Sequence, residues 1–345
     1  MRPNDWRRLA SFLDPFSGRG TTLLEALLND RQAIASDVNP VAAIVSGAKA
    51  DLPKLDDVLA RIETHREEYS AADDLSLDCD AEALPEFFGH AFHRATLSQA
   101  LFLRRRLAGA RSRADRFIAA LCLGHLHGES NKSKNFFSNQ MAHTIAMKPA
   151  YAVRYWRERE MEPPKRDVFD ILARKARFRF EHGTPNIRGT VRLGDARCAS
   201  KMFAEHAGSV AAVITSPPYL DVTNFEEDQW LRLWFLGGKP HPTYGEVSDD
   251  DRYQDAERYF DFLTEVWCGI SPLLKRSATI TCRIAAKGIT PLELGESLWD
   301  TIKAVWPRAR SVSVVESGLR NRQTDVFRPG SVGCGSEFDF RFATS

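Results

Sequence analysis

At both ends of the chain, short apolar runs that stop at acidic or glycine-rich turns alternate with stretches of helical periodicity, while the middle is helical throughout. Residues 9–13 (Leu-Ala-Ser-Phe-Leu) run into Asp14-Pro15 and a glycine loop, the pattern of a buried strand entering a turn. Leu23, Leu24, Ala26, Leu27 and Leu28 supply the apolar face of a helix that Thr21 or Thr22 can cap and Asn29-Asp30 ends. Residues 32–37 form a second short strand ending in an acid, and Pro40 opens the next helix in its first turn. Strand, helix, strand, helix with short connections predicts a parallel sheet wrapped by helices.

From about 51 to 188 strands give way to long helices, such as 55–69 and 97–107, with a polar, turn-rich loop at 128–140 and a break at Pro163-Pro164. Strand signals return at 190–195 and at 210–215, the latter fully apolar as a central parallel strand should be. Beyond them the pattern predicts a helix over 259–274, a strand over 278–284, a helix over 293–305, and strands 311–316 and 324–327 as a closing pair. The chain therefore divides into 1–50 and 189–345, two parts of one α/β domain, and 51–188, a large helical insertion.

Composition is that of an ordinary globular protein, with 43% hydrophobic and 27% charged residues, which excludes a disordered or fibrous chain. The longest apolar stretch, Phe117 to Gly124, stops at His125, short of the roughly 18 to 20 residues a membrane span needs. The opening residues lack the apolar core of a signal peptide, so a cytoplasmic location is expected. Six cysteines (Cys79, Cys122, Cys198, Cys268, Cys282, Cys334) show no C-x-x-C pairing and read as reduced and mostly buried. The pair His125 and His127 has no third ligand nearby, and no metal is expected.

A net charge of +1 conceals a segregation. Residues 51–90 carry twelve acidic and three basic residues, and residues 94–192 carry twenty-one basic and eight acidic ones. The basic stretch holds Arg104-Arg105-Arg106 and Arg174-Lys175-x-Arg177-x-Arg179 with Tyr151, Tyr155, Trp156, Phe178 and Phe180 interleaved, a pattern suited to nucleic-acid phosphates or to a solvated helical face.

Two motifs carry chemistry. Asp14-Pro15-Phe16-Ser17-Gly18-Arg19-Gly20-Thr21-Thr22 is a glycine loop between strand and helix, where backbone and helix N-terminus can approach a ligand. It lacks the Gly-Lys-Ser/Thr ending of a phosphate loop and the third glycine of a dinucleotide fingerprint, so ATP and NAD are disfavoured. Asp37, about twenty residues on at the tip of the second strand, is placed for ribose hydroxyls. Thr215-Ser216-Pro217-Pro218-Tyr219 closes an apolar strand with a turn that two prolines stiffen. There Ser216 and the Pro217 carbonyl can accept from an exocyclic amine, and the Tyr219 ring can stack on a base.

Together the two motifs resemble those of the S-adenosylmethionine-dependent amino-methyltransferases of DNA, over about residues 9–50 and 189–345. The resemblance implies a Rossmann-like methyltransferase sheet, mostly parallel with a closing antiparallel strand, flanked by helices. It implies that Asp14, Phe16, Gly18, Gly20 and Thr21 surround the methionine part of S-adenosylmethionine, that Asp37 holds the ribose and that Asp195 contacts the adenine amine. Ser-Pro-Pro-Tyr is typical of cytosine N4 methylation in this family, so Ser216, Pro217, Pro218 and Tyr219 are the implied catalytic residues. The implied substrate is double-stranded DNA with the target base flipped, in a nucleoid-associated setting that includes a restriction or defence-system partner. Only thirteen residues precede Asp14, where such enzymes carry a further helix and loop, and the insertion is unusual in position. By elimination that basic insertion is the candidate target-recognition region, with Lys132, Lys134, Lys148, Arg154 and Arg157 for phosphates and Asn135, Asn139 and Gln140 for base edges. Alternative readings are adenine-N6 methylation, an RNA base amino-methyltransferase, and a catalytically silent cofactor- or nucleic-acid-binding subunit.

Overall fold

The computed structural model describes residues 11–71, 75–128, 134–138, 148–181, 183–220, 225–243, 255–285, 289–318 and 336–345. In chain order the elements begin with β1 (Ser11–Asp14), α1 (Thr21–Leu28), β2 (Ala33–Asp37) and α2 (Pro40–Ala50). Helices α3 (Leu55–Ala71), α4 (Leu75–Glu82), α5 (Phe87–Ala91), α6 (Arg94–Arg106), α7 (Arg113–His125), α8 (Pro149–Glu158) and α9 (Val168–Phe180) follow. Then come β3 (Thr190–Leu193), α10 (Ala199–Met202), β4 (Val210–Thr215), α11 (Phe225–Phe235), α12 (Ala256–Ile270), β5 (Leu274–Ile284), α13 (Pro291–Val305), β6 (Arg310–Gly318) and β7 (Ser336–Ala343). They form two compact units, one of Met1–Ala50, Pro185–Thr223 and Val247–Ser345, the other of Asp51–Thr184 and Asn224–Glu246. The inserted unit thus draws on two chain segments, whereas charge and periodicity mark only the first.

The first unit is built on a seven-stranded sheet of order β3-β2-β1-β4-β5-β7-β6. β1 to β5 run parallel, and β7 enters antiparallel between β5 and β6. This is the expected fold class, a mostly parallel Rossmann-like sheet with an antiparallel closure. Register lines up Leu13, Val213, Ile280 and Phe342 as one row across β1, β4, β5 and β7. All four are buried with Leu263, Val266 and Trp267 of α12 and Leu294, Leu298 and Ile302 of α13, so the alternation of each strand delivers one continuous apolar face to those helices. The indole N–H of Trp267 donates to Thr301 Oγ1 at 2.9 Å, which satisfies the polar atom that so large a buried ring brings with it. Leu23, Ala26 and Leu27 of α1 and Ala50 of α2 pack with Ala33 and Ala35 of β2.

β6 pairs with β7; the expected partner strand, 324–327, lies outside the described residues. Two other readings of the sequence change. α1 has no side-chain cap; its N-cap is Gly20, held at φ +72°. Neither Thr21 nor Thr22 takes that position, because only a residue without a Cβ adopts this backbone cheaply. Of the five described cysteines Cys122 and Cys282 are buried, but Cys79, Cys198 and Cys268 are exposed, each at a helical position on an outward face. Among the described residues no helix is long and apolar enough to cross a membrane.

In the inserted unit the acidic and basic blocks meet each other. Arg66 contacts Asp167 at 3.0 Å, Arg105 contacts Asp80 at 2.6 Å, and Arg113 and Arg116 share Asp51 at 2.9 and 3.1 Å. At the centre, Asp115 accepts from Arg61 Nε at 2.8 Å and Ser112 Oγ at 2.8 Å and lies 2.9 Å from Nε2 of His65, which is fully buried. Burial alone would push the Asp115 carboxyl up, but the hydrogen bonds from Arg61, His65 and Ser112 outweigh it and hold the group below its ordinary range. An aromatic core of Phe87, Phe88, Trp156, Trp230 and Trp234 joins α5, α8 and α11, with Phe88 and Trp234 centroids 4.5 Å apart. Arg232, also buried, donates to the Leu123 carbonyl at 2.8 Å.

Asp115→Ala strips partners from a buried histidine and a guanidinium, so denaturant unfolding should show a loss of about 3 kcal/mol, whereas Asp170→Ala, which removes an exposed contact of Arg66, should cost under about 1 kcal/mol. Equal losses from the two variants would contradict this placement of the unit's polar centre.

Candidate active site

Because β1, β2, β3 and β4 are parallel, their last residues, Asp14, Asp37, Leu193 and Thr215, all lie at one edge of the sheet. Asp14 and Thr215 end adjacent strands, and Thr215 Oγ1 donates to Asp14 Oδ1 at 2.7 Å. The Phe16 N–H donates to the same oxygen at 3.2 Å. Asp14 is only 5% exposed. Burial pushes its carboxyl up to about 6, against the pull of the Thr215, Phe16 and Thr22 hydrogen bonds and with a small push from the charge of Asp37.

The glycine loop is fastened to β2 by its backbone. Ser17 N–H donates to the Ser36 carbonyl at 2.9 Å, and Gly18 N–H donates to Asp37 Oδ2 at 2.8 Å. The Asn39 N–H takes the other carboxylate oxygen, Oδ1, at 2.9 Å, while Asn39 Oδ1 accepts from Val41 N–H at 2.8 Å and so caps α2. Burial raises the Asp37 carboxyl, and the two backbone donors oppose the rise. Gly18 and Gly20 both have positive φ, +48° and +72°, and a Cβ on Gly20 would stand 2.8 Å from Ser46 Cβ. Glycine is therefore required there twice over, by backbone conformation and by the closeness of α2.

On the far side of Asp37, Gly194 N–H donates to the Asp37 carbonyl at 2.9 Å, so Asp195 follows directly beside it. The Asp195 carboxylate is engaged within its own turn: it accepts from Arg197 N–H at 2.9 Å and from the Arg197 guanidinium at 2.6 and 3.0 Å. Arg197 reaches Glu265 of α12 at 2.9 Å as well, and the two carboxylates raise it above its ordinary range. This fork leaves Asp195 little acceptor capacity for an adenine amine. Sequence reasoning missed the apolar residues here: Val38 is 61% exposed and Leu193, paired with Asp37 across β2 and β3, is 60% exposed.

In the second motif Ser216 is exposed, Pro217 is buried, and Pro218 and Tyr219 are half-buried. The Tyr219 hydroxyl donates to Glu337 Oε1 at 3.0 Å. Glu337 is the second residue of β7, whose antiparallel course brings its start to the carboxyl ends of the parallel strands. Arg283 of β5 forks onto Asp339 at 2.7 and 2.6 Å and lies 3.8 Å from Glu337. Burial and the Glu337 charge raise the Tyr219 phenol, which stays a donor at neutral pH. The strict alternation Glu337-Phe338-Asp339-Phe340-Arg341-Phe342 is the sequence signal that would have found this strand and its carboxylates.

Of the residues expected to touch nucleic acid, Lys132, Asn139 and Gln140 lie outside the described residues. Arg157 is hydrogen-bonded to Glu86. Lys134 and Asn135 sit against α9, where Arg174 donates to the Lys134 carbonyl at 2.8 Å and to Asn135 Oδ1 at 3.2 Å. Lys148 precedes α8, and Arg154 lies over the exposed Tyr151 ring at 5.8 Å. Among the described residues no group of three or more histidine, cysteine or acidic side chains stands together as a metal site.

No protein-family model and no curated protein matches the chain. Solved structures similar to it include the rRNA methyltransferase AviRa from Streptomyces viridochromogenes, at 13% identity and TM-score 0.33, covering 97% of this chain and 76% of that one. A second, an antibiotic-related methyltransferase, has 9% identity and TM-score 0.32, covering 98% and 91% of the two chains. Overlaps this slight carry no weight for the chemistry.

Asp14 is raised on folding, so the stability its protonated form contributes is full below the ordinary carboxylate pKa near 4 and is lost as pH rises through about 6. The expected decline is about 3 kcal/mol between pH 4 and pH 7, and Asp14→Asn should flatten it in urea titrations across that range. An unchanged slope in the variant would place the titration elsewhere. Gly20→Ala should cost on the order of 2 kcal/mol in the same assay, from the left-handed backbone alone.

Proposed function

We propose that the chain transfers the methyl group of S-adenosylmethionine to an exocyclic base amine of DNA, the N4 amine of a cytosine flipped out of the duplex. The observation that carries the reading is the buried Thr215–Asp14 hydrogen bond, which sets the glycine loop and the Ser-Pro-Pro-Tyr turn side by side on adjacent strands. A donor loop next to an acceptor turn is what a direct transfer between two bound groups needs.

The residues present fit the cofactor. Gly18 and Gly20 let backbone approach, α1 begins without a side-chain cap, and each Asp37 oxygen keeps a lone pair beyond its backbone bond for ribose hydroxyls. Val38 and Leu193 offer apolar surface for a purine on either side of that carboxylate. Asp14, buried and ionised above about pH 6, faces the loop as the negative group for the cationic methionine end. When bound, S-adenosylmethionine supplies an electrophilic methyl on sulfur.

The chain's own part is to ready the nucleophile. The N4 lone pair of cytosine is delocalised into the ring, and acceptors on its two protons favour the pyramidal nitrogen of the transition state. Ser216 Oγ and the Pro217 carbonyl fill that role on a turn whose dihedrals the prolines restrict. These bonds strengthen as positive charge develops on nitrogen, so they lower the barrier rather than merely bind the base. Ser216 is exposed and a hydroxyl is no base at neutral pH, so the surplus proton leaves to water after transfer. Tyr219, its hydroxyl pinned by Glu337, presents a ring of fixed position for stacking. No covalent intermediate is needed, and neither motif contains a cysteine.

Incubation of the purified chain with labelled S-adenosylmethionine and mixed-sequence DNA, followed by nucleoside mass spectrometry, should yield N4-methylcytosine. Ser216→Ala should lower kcat by about 100-fold while leaving cofactor affinity within about twofold. N6-methyladenine would overturn the base assignment, and bound cofactor with no methylated base in DNA would overturn the activity.

A further inference from the structure

Charge in the inserted unit is not evenly spent. Several arginines of α3, α6 and α7 face carboxylates: Arg61 with Asp115, Arg66 with Asp167, Arg105 with Asp80, Arg113 with Asp51. The carboxyl half of α9 is different. Among the described residues Arg174, Lys175, Arg177 and Arg179 make no ion pair, and Arg174 donates to the Lys134 carbonyl and the Asn135 amide oxygen, which draw the exposed Lys134 to the same surface. Burial, then the neighbouring charges of Arg179 and Arg174, lower the Lys175 ammonium, so these cations act on one another.

An aromatic ring stands among them. Phe178 is 51% exposed, with Lys175 Nζ 5.3 Å and Arg179 Cζ 5.9 Å from its centroid. Phe180, two residues on, packs edge-to-face on Phe117 at 5.4 Å and anchors the helix end. The last-turn arginines gain from the helix dipole, but that accounts for Arg177 and Arg179 and not for Arg174, Lys175, Lys134 or the ring.

We propose that this surface, Phe178 with Lys134, Arg174, Lys175, Arg177 and Arg179 around it, binds unpaired nucleic-acid strand. The ring stacks on an exposed base while the cations follow the phosphates. Charge complementarity selects a polyanion, and the ring selects one whose base faces are open, since a duplex hides them. This surface is independent of the methyl-transfer reading and binds without cofactor.

The test is fluorescence anisotropy on the full chain, without S-adenosylmethionine, with labelled oligodeoxythymidylate and oligouridylate of about 20 nucleotides and a duplex of equal length, over a range of KCl. Single strands should bind more tightly than the duplex. Phe178→Ala should weaken single-strand binding about tenfold with little change for the duplex, and Phe178→Trp should retain it. Arg177→Gln together with Arg179→Gln should lower the salt slope by about 1.4. Tighter binding of either sugar type supports the surface and names its source as DNA or RNA. Equal binding of duplex and single strand, or an unchanged affinity in correctly folded Phe178→Ala, overturns the proposal. So does loss, in the same variants, of binding to vesicles of anionic lipid that the native chain holds more tightly than either oligonucleotide. None of these residues belongs to the sheet-edge site, so loss here with methylation of free short substrates intact separates this surface from the activity.

Discussion

A single buried hydrogen bond, Thr215 Oγ1 to Asp14 Oδ1, joins residues 201 positions apart and closes the seam between β1 and β4 at the edge where both motifs lie. Burial raises the Asp14 carboxyl, which lies too deep for water to solvate its charge, and the Thr215 bond pulls against that rise. The glycine loop leaves β1 and the Pro-Pro turn leaves β4 immediately beyond this bond, so their relative position is set by strand register. The far side of the loop hangs on Asp37, whose two oxygens hold Gly18 and Asn39, so β1, β2 and β4 fix the loop from three directions. A site placed by strand ends is more rigid than one placed by loop packing, and a transfer with no covalent intermediate depends on such rigidity.

The same physics of burial and charge acts differently in the inserted unit. There a strongly acidic and a strongly basic stretch, separate in sequence, fold against each other, and part of the segregation seen along the chain becomes internal neutralisation. Such pairs at the surface contribute little each, while the one at Asp115, with a buried histidine, holds α3 to α7. Among the described residues the carboxyl half of α9 and Lys134 beside it keep positive charge outside those pairs. Charge left without an internal counterion is available to an external one.

The sheet, its direction and the two motifs were legible because they are local. An apolar run ending in Asp14, Asp37 or Thr215 announces a strand tip, and glycine at 18 and 20 announces a backbone that only glycine adopts. What stayed hidden was long-range. Whether Asp195 is open to a ligand depends on Arg197, which nothing in the Gly-Asp-Ala turn reveals. Arg157 looks like a phosphate contact in sequence, and only folding brings Glu86 to it. The helix at 225–235 lies in a stretch that connects two strands of the sheet, and its membership of the inserted unit follows from Trp230 and Trp234 meeting Phe87 and Phe88, partners about 140 residues away. The closing strand is the exception, since its alternating phenylalanines were in plain view and a weaker apolar run at 324–327 stood nearer to β6.

That strand matters more than its place at the far end of the sheet suggests. Inserted antiparallel, β7 starts where the parallel strands finish, and so Glu337 and Asp339 arrive at the carboxyl edge from the opposite direction. Arg283 of β5 meets both, forking onto Asp339 and standing near Glu337. Glu337 accepts from the Tyr219 hydroxyl, and burial together with the Glu337 charge raises that phenol. The ring of the Ser-Pro-Pro-Tyr turn is held at both ends, by proline-restricted backbone on one side and by a β7 carboxylate on the other. The hairpin of β6 and β7 therefore belongs to the site as much as the glycine loop does, though neither strand contributes a residue to either motif.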